Sequence, residues 1–169
     1  MSKLIKKFLI VALVVALAFS FVACDVGYHL CNLNIEVANV ELINYNNPAA
    51  QNSPLEKHPL DLEKLETLET LGSDSRDNFI NELSKIGKYL GGKFKQVLNS
   101  PAGIGVRIIY QDGSFTLITV TVIKGKDSIF RGDYDTIYNI GYTFGIAWQE
   151  MIDGFKAVVN KYFETQVNW

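Results

Sequence analysis

Cysteine and histidine are scarce, two residues of each in a chain of 169. Two cysteines cannot build a disulfide framework, so a packed core must hold this fold together. The histidines, His29 and His58, leave Ser-His-Asp or Cys-His catalysis little to recruit. Proline is sparse too: three of its four residues fall in one polar stretch, 46–61. No excess of basic charge exists, with 16 Lys and Arg against 18 Asp and Glu. Phosphate recognition needs a basic footprint, so nucleic acid is excluded as a partner class. There are no internal repeats. A single long apolar run is present, Phe8 to Ala23, broken only by Ser20. It falls short of the roughly 20 residues that an untilted helix needs to span a bilayer.

That run follows Lys3, Lys6 and Lys7 and ends in small residues. A charged start, a short apolar stretch and a small-residue end mark a secretory signal peptide, here residues 1–23. Two cuts compete. Ala18-Phe19-Ser20 fits the A-x-A pattern and would release a chain starting at Phe21. A disulfide between Cys24 and Cys31 would then be expected. The other cut lies in "FVAC", residues 21–24, which resembles the lipobox of bacterial lipoproteins. Val22, Ala23 and Cys24 match that pattern, while Phe21 stands where leucine is usual. The resemblance covers the first 24 residues and implies a diacylglyceryl thioether on Cys24, which becomes residue one.

A thioether has no thiolate to offer a metal and no thiol to oxidise. With Cys24 lipidated, both the Cys24–Cys31 loop and a Cys24-His29-Cys31 metal cluster collapse. Cys31 is then the odd cysteine of an exported protein. Two acyl chains give stable anchoring where one would not. The resemblance thus implies an extracytoplasmic protein held at the cell membrane by the lipid on Cys24. Asp25, by the same resemblance, favours the inner membrane in a two-membrane bacterium. Residues 1–23 carry three Lys and no acid, so the mature chain has 13 basic and 18 acidic residues, a net of −5.

After a tether at 24–34, residues 35–169 read as one α+β domain. "NLNIEVANVELINY" alternates like a strand, with a parity change that predicts a bulge near Ala38-Asn39. A Pro-rich loop follows at 46–60. Leu62, Leu65, Leu68 and Leu71 recur every third residue, which fits helix and strand equally. Phe79, Ile80, Leu83 and Ile86 sit at helical spacing after a capping Ser73 or Asp74, and Gly87 ends that helix. Asp112-Gly113 between two Val/Ile/Thr-rich runs predicts a hairpin with a type I′ turn. A third antiparallel strand is expected at "SIFRGDY". The C-terminal helix would bury Trp148, Met151, Ile152, Phe155, Val158, Val159, Tyr162 and Phe163. The expected fold is a mainly antiparallel sheet with a bulged N-terminal strand and a central hairpin, packed against two or three helices.

Few residues suggest chemistry. "GKYLGGKF", residues 87–94, nearly spells a P-loop but has Phe94 where the Mg²⁺-binding hydroxyl belongs and follows a helix. Lys85, Lys88, Lys93 and Lys95 read as a solvated helix end rather than a headgroup site. Arg131-Gly132-Asp133 matches the tripeptide of integrin ligands by chance. Asp127, Asp133 and Asp135 match no EF-hand spacing, so no metal is assigned and no cofactor is expected. A carboxylate pair for hydrolysis could come from Glu150 or Asp153 with Asp133 or Asp135. Nothing in the spacing selects one. Half of the 20 aromatics lie between Phe130 and Trp169. Tyr134, Tyr138, Tyr142 and Trp148 are the candidate recognition residues for a protein, peptide or glycan. The expected function is a membrane-tethered binding module; the alternative is a cell-envelope hydrolase using carboxylates of the 127–153 region.

Overall fold

Val, Ile and Thr crowd the segments between residues 37 and 134, where branched side chains favour pleated backbone. The computed structural model describes residues 29–46, 61–86, 95–96, 102–123, 125–134, 142–146 and 149–169. Its strands are β1 (Val37–Tyr45), β2 (Leu65–Thr70), β3 (Lys95–Gln96), β4 (Gly103–Tyr110), β5 (Phe115–Ile123), β6 (Lys126–Tyr134) and β7 (Tyr142–Ile146). They form an antiparallel sheet in the order β2-β1-β4-β5-β6-β7-β3, with β2, β1, β4, β5 and β6 as its body. Two helices, α1 (Ser73–Lys85) and α2 (Gln149–Tyr162), complete the described elements, giving a mostly-sheet α+β fold. No helix among the described residues is long and apolar enough to cross a membrane.

Pleat alternation assigns the faces. Val40 and Leu42 of β1, Val106 and Ile108 of β4, Ile118 of β5 and Ile129 of β6 share one face and are fully buried. The helices cover this face: Lys156 of α2 pairs with Asp127 of β6, and the Arg76 guanidinium of α1 donates to the Ala38 carbonyl at 3.0 Å. Phe79 of α1 anchors the helix pair, edge-on to Tyr162 at 5.8 Å and to Phe163 at 5.7 Å. The opposite face gathers Ile43, Tyr45, Leu117 and Tyr134 into a second buried cluster, flanked by Leu65 and Phe115. Thr116 to Val120 are therefore buried in succession on β5, which explains a nearly unbroken β-former run without a polar side.

The leucine-every-third segment resolves as a short 3-10 turn, Leu62–Lys64, feeding β2. In an α-helix that spacing drifts about 60° per repeat and makes no coherent face. In β2 it leaves Leu68 exposed and Leu65 half-buried, as an edge strand tolerates. Against β4, the register of β1 shifts between Val37 and Asn39. Helix α1 begins with Gly72 at its cap and no side-chain cap bond; the Ser73 hydroxyl donates to Asp74 instead.

The β4–β5 hairpin forms, with a different turn. The Gly113 N–H donates to the Tyr110 carbonyl at 3.0 Å, and the Tyr110 N–H to the Ser114 carbonyl at 2.9 Å. That pattern closes a three-residue loop, Gln111–Gly113, with Gly113 at φ 82° in the left-handed region. The Asp112 carboxylate fixes it by accepting from the Ser114 N–H at 2.9 Å and hydroxyl at 2.6 Å.

Candidate functional site

Of the stretch read as a tether, residues 24–34, the described part contains two side chains packed on the domain. Leu30 and Cys31 are buried at 1% and 2% exposure. The apolar pair Leu30-Cys31, a few residues ahead of β1, is the sequence signal for this docking. A chain of polar groups on β4, β5 and β6 holds the segment. The Asn32 N–H donates to the Tyr110 hydroxyl at 2.8 Å. Tyr110 lies 2.8 Å from the Thr116 hydroxyl, which donates to Asp133 at 2.7 Å. Asp133 pairs through both oxygens with Arg131, at 3.1 and 2.9 Å, and Arg131 donates to the His29 carbonyl. Register explains the convergence: Thr116 faces Asp133 across β5 and β6, and Arg131 lies two residues along, on the same face.

Cys31 lies inside this clasp with a free thiol. Burial pushes the thiol up to about 11, against the opposing pull of Arg131 and with a further push from Asp133. It is protonated at neutral pH and is not poised as a nucleophile or metal ligand. Burial also raises the Tyr110 hydroxyl, although its bonds to Thr116 and Asn32 pull the other way. The His29 Nδ1 is buried with no hydrogen-bond partner.

The Arg-Gly-Asp tripeptide has a structural role within β6. Arg131 and Asp133 serve the clasp. Gly132, on the other face, leaves room for the Tyr134 ring, which would lie 2.6 Å from a Cβ there. Tyr134 stacks on Phe115 at 5.0 Å and 17° and is 7% exposed, so it packs in the core instead of lining an open surface. Tyr142 is described by its backbone, opposite Asp133 at the start of β7. Tyr138 and Trp148 lie outside the described residues, as do Cys24, His58, Asp135 and the P-loop-like stretch.

No family model, curated protein or solved structure matches this chain. The site must be read from its own geometry.

The described carboxylates are dispersed. Asp127 pairs with Lys156, six positions along β6 from Asp133, a separation of roughly 20 Å. Asp153 accepts from Gln149 at 2.8 Å on the exposed first turns of α2, and Glu150 is exposed beside it. Among the described residues no three His, Cys, Asp or Glu gather as a metal site. An open groove of about 290 Å³ runs between residues 32–37 and α1, floored by Ile35, Val37 and Ile80 and rimmed by Glu36, Arg76 and Asp77. Its arginine is committed to Asp77 and to the Ala38 carbonyl.

Proposed function

We propose that this chain is an extracytoplasmic lipoprotein, lipidated at Cys24 and held at the cell membrane, whose folded domain binds a protein, peptide or glycan. One observation carries the reading. Cys24, preceded by Val22 and Ala23, ends a signal-like apolar run that follows Lys3, Lys6 and Lys7. A binding role suits a domain in which Asp127, Asp133 and Asp153 lie apart, each tied to neighbours of its own.

The test is the intact mass of the protein recovered from its own cells, beside a Cys24→Ala variant. A mature chain starting at Cys24 with added acyl mass, lost in the variant, is expected. An unacylated chain starting at Phe21 would overturn the reading.

A further inference from the structure

We infer that the sheet surface under residues 29–32 is a peptide-binding site, occupied in this structure by the chain's own segment. In exchange for that segment it accepts an extended stretch of a partner protein, with an aliphatic residue followed by a small one. The inference rests on the binding role proposed above and names its site and ligand. First, the site is built without the segment. Tyr110, Thr116, Arg131 and Asp133 stand on one face of three paired strands, β4, β5 and β6. The Tyr110–Thr116 contact at 2.8 Å, the Thr116–Asp133 bond at 2.7 Å and the Arg131–Asp133 pair at 2.9 Å involve strand residues alone. These side chains are therefore fixed before any ligand arrives, which is what preorganisation requires.

Second, the segment is bound as a peptide is. Tyr110 accepts from the Asn32 N–H and Arg131 donates to the His29 carbonyl, both main-chain groups that carry no sequence information. Leu30 and Cys31, between them, are buried, and these two positions read side chains: aliphatic, then small. Main-chain bonds for affinity and buried side chains for specificity are the division of labour in peptide recognition. The Asn32 side chain takes no part, since it bonds within the segment, accepting from the Asn34 N–H at 3.0 Å.

Third, the segment has a hinge of its own. The chain turns at Leu33 and Asn34, both exposed, and beyond the turn the Glu36 carbonyl is fixed by the Gln111 N–H at 2.9 Å. Rotation about residues 33–35 frees 29–32 and leaves β1 in place. Helix α2 goes on covering the Asp127 end of β6 through Lys156. The chain's own segment is also an imperfect occupant: the His29 Nδ1 is buried with no hydrogen-bond partner, a defect that an apolar residue at that place would not have.

The test reads Cys31 in the full chain, where alkylation requires the segment to open. The probe is a synthetic peptide of residues 29–34 carrying Cys31→Ser, beside a peptide of the same composition in scrambled order. A ligand of the open state raises that state's population by mass action. At about 1 mM probe, alkylation located at Cys31 by mass is expected to accelerate at least about threefold, and the scrambled peptide to have no effect. Leu30→Asp disfavours docking of the segment. That variant should stay folded and bind the labelled probe at least about tenfold more tightly than the parent chain, because its site is free. Equal alkylation with the two peptides overturns the inference, and so does a Leu30→Asp chain that unfolds or that folds and does not bind. A parent chain that is dimeric without peptide overturns the choice of partner, since the occupant would then be the same segment of a second copy. The lipoprotein reading is decided separately by the intact mass, so either can fail alone.

Discussion

At Gly105 a Cβ would lie 1.8 Å from the Ile118 carbonyl oxygen and 2.7 Å from the Thr119 Cα. Both are backbone atoms of the central strand β5, so no rotamer change relieves the contact. Gly105→Ala is expected to cost about 3 kcal/mol or more, read as a lowered midpoint in urea. An unchanged midpoint would mean that β4 and β5 approach less closely than described. Glu69 offers a gentler case. Partial burial pushes its carboxyl up, but N–H donations from Glu164 at 3.0 Å and Thr165 at 2.8 Å outweigh this and leave it below its ordinary 4.5. A carboxyl lowered by folding stabilises fully above its unfolded value. That contribution disappears as pH falls through the folded value. Glu69→Gln should therefore weaken the protein near pH 7 by on the order of 0.5 kcal/mol, given solvent screening at so open a site. The difference from wild type should vanish below the carboxylate range, as urea midpoints at several pH values will report.

At the scale of elements, the helix pair is the clearest case of sequence legibility. Periodicity placed Phe79 and Leu83 on one face of α1, and Met151, Ile152, Phe155, Val158 and Val159 on one face of α2, because burial alone dictates those positions. Phe79→Ala should cost about 3–5 kcal/mol, since two edge-on rings lose their partner at once. Thermal unfolding will measure it. Gly154 marks where the two helices come close: a Cβ there would lie 3.2 Å from the Ile86 Cγ2, a flexible tip able to yield. Gly154→Ala should then gain about 0.5 kcal/mol of the roughly 1 kcal/mol helix-propensity difference, whereas Gly154→Val should lose stability. The hairpin's place was equally legible from Asp112-Gly113, but its loop length was not. Loop length depends on which of Tyr110 and Ser114 joins the ladder, a choice made across strands. The leucines of β2 were ambiguous for a similar reason, because pairing with β1 decides between strand and helix. The clasp was the least legible feature. Asn32, Tyr110, Thr116, Arg131 and Asp133 are far apart in sequence, and only strand register brings them together; the i, i+2 pair Arg131 and Asp133 was the one local hint.

For the whole molecule, the clasp is the path by which a lipid at Cys24 would hold the domain. A pull at Cys24 reaches His29 and Cys31 and passes through Arg131, Asp133, Thr116 and Tyr110 into the centre of the sheet. If the clasp opened, the next fixed point would be Glu36, bonded to Gln111, and the tether would lengthen to at most about 43 Å. Cys31 reports on this state. With its thiol at about 11, only about 0.1% is thiolate at pH 8, so alkylation of the docked chain is slow. Arg131→Ala has two opposed effects on that rate. The Arg131 charge lowers the Cys31 value, so its loss alone would slow alkylation further. Loss of the bond to the His29 carbonyl would instead free the segment, expose the thiol and speed alkylation. Release should dominate, raising the rate at least tenfold while the urea midpoint shows the core still folded, because the helices and the second cluster do not contact Arg131 through any bond described. A slower rate in the variant would mean that Leu30 and Cys31 stay docked by burial alone, and that the polar chain positions the segment without holding it.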